Sequence, residues 1–314
     1  MKTINSIGSA KQIVYEVSKV IVGKDEVIIK MLLAILARGH ILMEDIPGVG
    51  KTTMAVAFSR ALGLDYNRVQ FTPDVLPSDI TGYSIYDKNT GKMNYQRGAI
   101  LCNLFLADEL NRATSRTQSA LLQAMEEGEV TVDNVTYPVP RPFMVIATQN
   151  PIGAKGTQML PDSQLDRFMI RLTMGYPDPE AEAEMIRRKQ QGISLEQVQQ
   201  VVSREELMGL CAEAEHVYIK DSLIDYIVKL CTVTRGDSRI LQGASPRAAI
   251  SLTSLSKAAA WIQGRDYVVP SDIRFVFADA IQHRLMWASD NLSYRRQRSV
   301  VDELFASVRA PELR

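Results

Sequence analysis

The chain has 314 residues, room for more than one hydrophobic core, and its 36 Lys+Arg balance its 36 Asp+Glu. A formal net charge of zero gives no basic field to draw the protein to DNA or to an anionic membrane, so nucleic acid is not an expected partner. The longest uncharged apolar run, Met31 to Ala37, falls far short of the ~18 residues of a membrane span, and the amino terminus shows no long apolar segment with a cleavage site; the expectation is a cytoplasmic protein without direct membrane insertion.

From about residue 40 to 175, short apolar strands alternate with helical stretches, the pattern of an α/β fold with helices on both faces of a parallel sheet. The strands expected are Ile41–Met43, Arg68–Phe71, Leu104–Ala107, Phe143–Ala147 and Met169–Leu172. The first runs into Glu44-Asp45-Ile46-Pro47-Gly48-Val49-Gly50-Lys51-Thr52-Thr53. Gly48 and Gly50 have no Cβ, so the backbone can turn with positive φ and bring N–H groups close to phosphate oxygens at a helix N-terminus. Lys51 then reaches the β- and γ-phosphates and the Thr52 hydroxyl serves Mg²⁺. Gly-Lys-Thr alone is weak evidence. The continuous apolar strand before it, and Met54, Ala55, Phe58 and Leu62 at helical spacing after it, favour a phosphate loop over an ordinary strand-to-helix turn. The pattern G-x-x-x-x-G-K-[ST] asks for glycine where Asp45 stands, and an anion there opposes phosphate unless it caps a backbone N–H.

Next come two hairpins. Ser84–Asp87 and Lys92–Gln96 flank Asn89-Thr90-Gly91, and Val130–Val132 and Val135–Tyr137 flank Asp133-Asn134, residues that tolerate the positive φ of tight turns. Between them Leu104–Ala107 ends in Asp108 and Glu109. In a phosphate-loop protein the first carboxylate holds Mg²⁺, mostly through water, and the second orients or deprotonates the water that attacks the γ-phosphate; alone, the pair reads as a solvated strand end. Thr148-Gln149-Asn150 follows the next strand at its carboxyl end, where open α/β sheets bind ligands, making Asn150 a candidate γ-phosphate sensor or merely a polar residue leaving a strand. Arg167, before the fifth strand, reads equally as a finger for a neighbouring subunit, worth ~10³–10⁵ in rate in other nucleotidases, or as a surface pair with Asp162 or Asp166.

After Gly175-Tyr176-Pro177-Asp178-Pro179 the strands stop and helices are expected: one opened by a Ser203–Glu206 capping box, one capped by Asp221, one from Ser245-Pro246 to Gly264, and a last from about Ser271 to Leu285. Arg247 falls in the opening turn of its helix, where the macrodipole disfavours a cation by ~0.3–1 kcal/mol. A nearby anion offsets that, and a nucleotide at the domain junction is the candidate; a solvated arginine is the alternative. Cys102, Cys211 and Cys231 are odd in number and far apart, as befits a reducing compartment, and neither they nor His40, His216 and His283 form a metal pattern.

Together these motifs resemble the MoxR family of AAA+ ATPases: Glu-Asp-Ile-Pro-Gly-Val-Gly-Lys-Thr, Leu-Ala-Asp-Glu-Leu-Asn-Arg-Ala, Gln-Ser-Ala-Leu-Leu-Gln-Ala-Met-Glu-Glu-Gly, Ala-Thr-Gln-Asn-Pro, Leu-Asp-Arg-Phe and Gly-Ala-Ser-Pro-Arg-Ala, spread from about Val20 to Arg265. The resemblance implies an AAA+ αβα sandwich with a five-stranded parallel sheet, residues 1–176, followed by a C-terminal all-helical lid domain, residues 177–314. It implies Lys51 and Thr52 as Walker A, Asp108 and Glu109 as Walker B, Asn150 as sensor 1, Arg167 as a finger acting in trans and Arg247 as sensor 2. Ile21, Val22 and Gly23 resemble the segment that lines the adenine pocket, with Pro47, Gly48, Val49, Gly50 and Thr53 completing the nucleotide contacts.

Lys51, Asp108, Glu109, Asn150 and Arg247 are thus expected around one Mg²⁺-bound ATP, with Arg167 donated by an adjacent copy. The likeness further implies a homo-oligomeric, commonly hexameric ring that hydrolyses ATP as a chaperone-like motor on a protein client, with a separate von Willebrand factor A domain protein as partner. The hairpin at 84–96 resembles an insert that often faces the ring's pore, although its Tyr83, Tyr86 and Tyr95 suit packing as well as gripping. Two rival readings are a nucleotide-gated assembly scaffold with incidental turnover, against which the complete set of hydrolytic residues argues, and a nucleic-acid-dependent ring motor, against which the balanced charge argues.

Overall fold

A computed structural model describes residues 3–46, 48–150, 160–289 and 292–312. Helices α1 (Thr3–Ser18) and α2 (Asp25–Leu36) precede strand β1 (Ile41–Glu44) and helix α3 (Lys51–Ala61). The chain continues through β2 (Tyr66–Gln70), the short α4 (Pro77–Thr81), the hairpin β3 (Gly82–Asp87) and β4 (Lys92–Arg97), then β5 (Leu104–Asp108) and α5 (Ser115–Glu127). A second hairpin, β6 (Glu129–Val132) and β7 (Val135–Pro138), leads to β8 (Met144–Gln149), α6 (Asp162–Leu165) and β9 (Ile170–Leu172).

Five of these strands form one parallel sheet in the order β2-β5-β8-β1-β9. Every residue of β5 and β8 is buried, the continuous apolar run that two covered faces demand, whereas the edge strand β2 leaves all its residues at least partly exposed. Both hairpins form where expected, and Asp133 and Asn134 take φ of 50° and 63° in the tight turn. The hairpins touch: Tyr95 stacks on Tyr137 with centroids 3.9 Å apart, and its hydroxyl bonds the Thr81 carbonyl. Tyr83 and Tyr86, by contrast, are exposed.

Beyond β9 the chain is helical: α7 (Pro179–Gln190), α8 (Arg204–Glu215), α9 (Asp221–Gly236), α10 (Pro246–Ile262), α11 (Pro270–Ile281) and α12 (Tyr294–Ser307), joined by a small antiparallel ribbon of β10 (Ile240–Gln242) and β11 (Met286–Trp287). Ser203 and Glu206 form the expected capping box, with mutual bonds of 3.2 and 2.7 Å. Asp221 does not cap α9; it is the first helical residue, where its charge favours the dipole instead. Helix α12, which the sequence reading lacked, presents a polar first turn and buries only Val300, Val301 and Leu304. Residues 177–202 pack on the α/β part: Arg188 bonds the Ser18 and Lys19 carbonyls at 2.9 Å and the Val201 N–H bonds the Ala61 carbonyl at 2.8 Å. One apolar cluster runs from Ala10 through α2 and β1 to α10, α11 and Leu304, so the later helices rest on α2 and the β9 edge of the sheet. No helix among the described residues is long and apolar enough to cross a membrane.

Candidate nucleotide site

The parallel register places the carboxyl ends of β1, β5 and β8 side by side, with Met43 opposite Thr148 and Ala107 opposite Ala147. A cleft of about 320 Å³ opens there, lined by Gly48, Gly50, Lys51, Thr52 and Thr53 from the loop and α3, by Arg68 and Gln70 from β2, by Asp108 and Glu109, and by Thr148, Gln149 and Asn150. Lys51, Thr52, Asp108, Glu109 and Asn150 therefore meet at one place. Gly48 and Gly50 take φ of +85° and +95°, which disfavours any side chain, and a Cβ at Gly48 would meet no atom within 4 Å. Pro47 and the segment 151–159 lie outside the described residues.

Lys51 Nζ rests on the Asp45 and Ile46 carbonyls at 2.6 and 3.1 Å; burial pushes its pKa down, and the charges of Asp45, Asp108 and Glu109 oppose that shift. Asp108 is well anchored. Its Oδ1 accepts the Thr148 hydroxyl at 2.7 Å, and its Oδ2 accepts Arg68 Nη2 and Nε at 2.8 and 3.2 Å and the Thr52 hydroxyl at 3.4 Å. Thr148 Oγ1 also accepts the Glu109 N–H at 2.8 Å, so one buried hydroxyl sets the spacing of both carboxylates. Glu109 itself is left-handed, with φ 56° and ψ 45°, a conformation that costs a non-glycine residue of order 1–3 kcal/mol and recurs at active sites. Its carboxylate accepts Arg112 Nη1 at 2.9 Å.

Asp45 resolves the missing glycine. Its φ is not positive, so the backbone does not require glycine there, and its N–H extends the sheet by bonding the Gln149 carbonyl at 3.2 Å. The carboxylate turns away from the phosphate cradle: Oδ2 accepts the Met174 and Gly175 N–H groups at 2.5 and 2.6 Å, and Oδ1 accepts the Ile46 N–H at 2.8 Å. The anion that threatened phosphate binding instead ties the loop to the exit from β9.

A second, more apolar cleft of about 360 Å³ adjoins the first across Gly48, Gly50 and Thr53, walled by Val20, Ile21, Val22, Met174, Tyr176 and Met185. Gly23 beside it has φ +68°, and a Cβ there would lie 2.7 Å from that of Ala181 on α7. An apolar cleft that shares a glycine cradle with a cleft holding a lysine, a hydroxyl and two carboxylates fits a purine nucleoside triphosphate, and Thr52 with Asp108 fits a hydrated Mg²⁺.

Arg247 is not in this site. It stands beside Arg167 at the opposite, entering end of the strands, near His40 and Met169, in a pocket shared with Arg38 and Arg284. Arg247 pairs with Glu126 Oε1, and Arg167 Nε with Glu126 Oε2 at 3.0 Å; the bond from Arg167 first, then that from Arg247, holds the Glu126 carboxyl below its usual range. The reason is packing: the Ser245 hydroxyl caps α10 and also bonds Asp166, which fixes the start of α10 against the turn before β9. The anion that relieves Arg247 in its helical first turn is thus Glu126, not a nucleotide held by the same chain. Sequence reasoning does not reach Arg68 or Thr148 as site residues; Thr148 lies two positions before the candidate Asn150, while Arg68 lies in a strand without a distinctive pattern.

A strand–glycine loop–helix cradle with paired strand-end carboxylates, a five-stranded parallel sheet and a following helical part defines a phosphate-loop ATPase of the AAA type. Residues 40–170 match the family described as ATPase family associated with various cellular activities (AAA), and residues 233–304 match the AAA lid domain. The chain is 38% identical over 296 residues to Chaperone MoxR1 of Mycobacterium tuberculosis, covering 91% of this chain and 78% of that protein. It is 32% identical over 317 residues to Protein MoxR of Methylorubrum extorquens, covering 93% of this chain and 91% of that protein. A crystal structure from Cytophaga hutchinsonii superposes with a TM-score of 0.90 at 38% identity, covering 99% of this chain and 97% of that one. The chain belongs to the MoxR family of AAA+ ATPases.

Proposed function

We propose that the protein hydrolyses ATP as a chaperone-like remodelling motor, with each nucleotide bound in one copy and completed by the next copy of a homo-oligomeric ring, of which a hexamer is the expected form. Gly48, Val49, Gly50, Lys51 and Thr53 hold the phosphates and Val22 and Gly23 flank the base, with Pro47 assigned on its place in the motif. Thr52 and Asp108 hold Mg²⁺, which supplies charge neutralisation at the transferring phosphoryl group. Glu109 positions and deprotonates the attacking water, and Asn150 senses the γ-phosphate. We place the division between nucleotide-binding core and lid at about residue 176, with residues 177–202 riding on the core. A von Willebrand factor A domain partner, a protein client and a cytoplasmic setting are the remaining parts of the proposal.

The observation that carries the ring is the pairing of Arg167 and Arg247 on one carboxylate, at the far end of the sheet from Lys51. Two arginines held together there are useless to this chain's own nucleotide and well placed for a neighbour's. Mixing Lys51→Ala with Arg167→Ala protein tests it: each variant alone is expected to be inactive, and the mixture to regain phosphate release, because some junctions join an intact cradle to an intact arginine. A mixture as inactive as its parts refutes trans completion.

A further inference from the structure

Of the two cations that line the phosphate cleft among the described residues, Lys51 and Arg68, the proposed reaction gives no task to Arg68, and it occupies a telling position. It lies on β2, two residues before Gln70, the register partner of Asp108. Its Nε and Nη2 both donate to Asp108 Oδ2, and the same oxygen accepts the Thr52 hydroxyl. The two groups that suit Mg²⁺ meet at that oxygen, and the third group on it is a guanidinium. A single positive charge covers the carboxylate where a divalent cation belongs. The Arg68 side chain is 42% exposed, so it can swing without disturbing the core, while Asp108 stays pinned through Oδ1 by the buried Thr148.

We propose that Arg68 distinguishes ATP from ADP: it covers Asp108 while no divalent cation is bound and transfers to the γ-phosphate when Mg²⁺ and ATP enter. The proposal rests on the nucleotide reading above. Mg²⁺ at Asp108 repels the guanidinium from the oxygen they would share, because two cations compete for one acceptor. The anion that enters the same cleft is the polyphosphate, whose oxygens match the guanidinium fork. Lys51 and the glycine loop hold the phosphates at the start of α3, whereas Arg68 approaches from the side of Asp108 and Glu109, where the terminal phosphate must face the attacking water. ADP has no group for that side, so its affinity owes nothing to Arg68. The balance of charge fits as well: Lys51 and Arg68 match Asp108 and Glu109 before ligand, and the transfer places one of these cations on the added charge.

Calorimetric titration of ATP and of ADP into Glu109→Gln protein, with and without Arg68→Gln, tests this under Mg²⁺ and under EDTA. Arg68→Gln is expected to weaken ATP binding in Mg²⁺ by about tenfold or more while ADP binding changes by less than about threefold, the loss of one charge-assisted contact confined to ATP. Under EDTA the substitution is expected to change neither, and Arg68→Lys to recover part of the ATP preference in Mg²⁺. Equal losses for both nucleotides, or none for either, overturn the proposal. Melting curves establish that each variant is folded. If Glu109→Gln protein itself binds neither nucleotide, the nucleotide reading fails and takes this inference with it; if it binds both and Arg68→Gln does not discriminate, the inference alone fails.

Discussion

Replacing Asp45 by glycine completes the motif G-x-x-x-x-G-K-[ST], yet the structure says the change is harmful. The Asp45 carboxylate accepts three backbone N–H groups, from Ile46, Met174 and Gly175, and the residue is only 8% exposed. Hydrogen bonds to a charged acceptor are worth about 1.5–3 kcal/mol each, and buried donors left unpaired cost about 1–3 kcal/mol each, with water recovering part of the loss at a partly open loop. Counting one well-buried donor at full cost and the others in part gives about 3–5 kcal/mol, to which glycine's extra chain entropy adds about 0.5–1 kcal/mol. For a chain of this size that corresponds to a fall in melting temperature of roughly 10 °C. Asp45→Asn retains one acceptor but aims an amide NH₂ at backbone donors, so it is expected to lose more than half as much. Scanning calorimetry of both variants is the assay, with ADP affinity measured alongside, because the Lys51 ammonium rests on the Asp45 and Ile46 carbonyls. A melting temperature for Asp45→Gly within 2 °C of the parent, with unchanged affinity, refutes the account of this position.

Glu109→Gln keeps the shape of the site and removes the base, so ATP affinity is expected to persist while phosphate release falls by about 10²–10⁴-fold; near-normal turnover removes Glu109 from its role. His40 supplies a pH dependence. Its ring accepts the Val145 N–H and donates to the Met125 carbonyl, and burial lowers its pKa from 6.5 to about 4. The unfolded chain therefore binds more protons between those values, stability is lost as pH falls from about 6.5 toward 4, and His40 alone accounts for about 2 kcal/mol at pH 5. His283, also lowered by burial, acts in the same direction. Thermal melts from pH 7 to 5, a window in which ordinary carboxylates stay ionised, check this, and a flat profile would contradict it.

The parts legible in the sequence were those whose chemistry is local. Leu104–Ala107 and Phe143–Ala147 announce central strands because both faces are covered, and Gly48 to Thr52 announces a cradle because consecutive backbone groups do the work. Edge strand β2 begins at Tyr66 rather than Arg68 and ends before Phe71, since a half-exposed strand carries no apolar run to mark its ends. Helix α12 escaped notice for the same reason, its first turn reading Tyr-Arg-Arg-Gln. Partners far apart in sequence were not legible at all. The sequence says that Arg247 needs an anion; it cannot say that the anion is Glu126, 121 positions earlier. Likewise Asp45 had to cap something, and its donors Met174 and Gly175 lie 129 and 130 positions away.

The position of Arg247 bears on when the protein works. A protomer that kept its own sensor arginine could hydrolyse ATP alone, slowly but at a rate per chain independent of concentration. Here both Arg167 and Arg247 lie away from the chain's own cradle, and among the described residues the only arginine lining that cleft is Arg68, with Arg112 paired to Glu109 beside it. On the proposed trans reading, the arginine that stabilises transition-state charge comes from a second copy, and an arginine supplied in this way is worth ~10³–10⁵ in rate. Phosphate release per chain is accordingly expected to rise steeply with protein concentration and level off once junctions are filled, while Arg167→Ala and Arg247→Ala each flatten the curve near its dilute limit without lowering ATP affinity in that limit. Glu126→Gln, which releases both arginines from their shared carboxylate, is expected to change the rate at saturation but to keep the dependence on concentration. Specific activity that is constant on dilution, in a protein shown by light scattering to dissociate over the same range, would mean that each chain completes its own site and that the two arginines serve the fold alone.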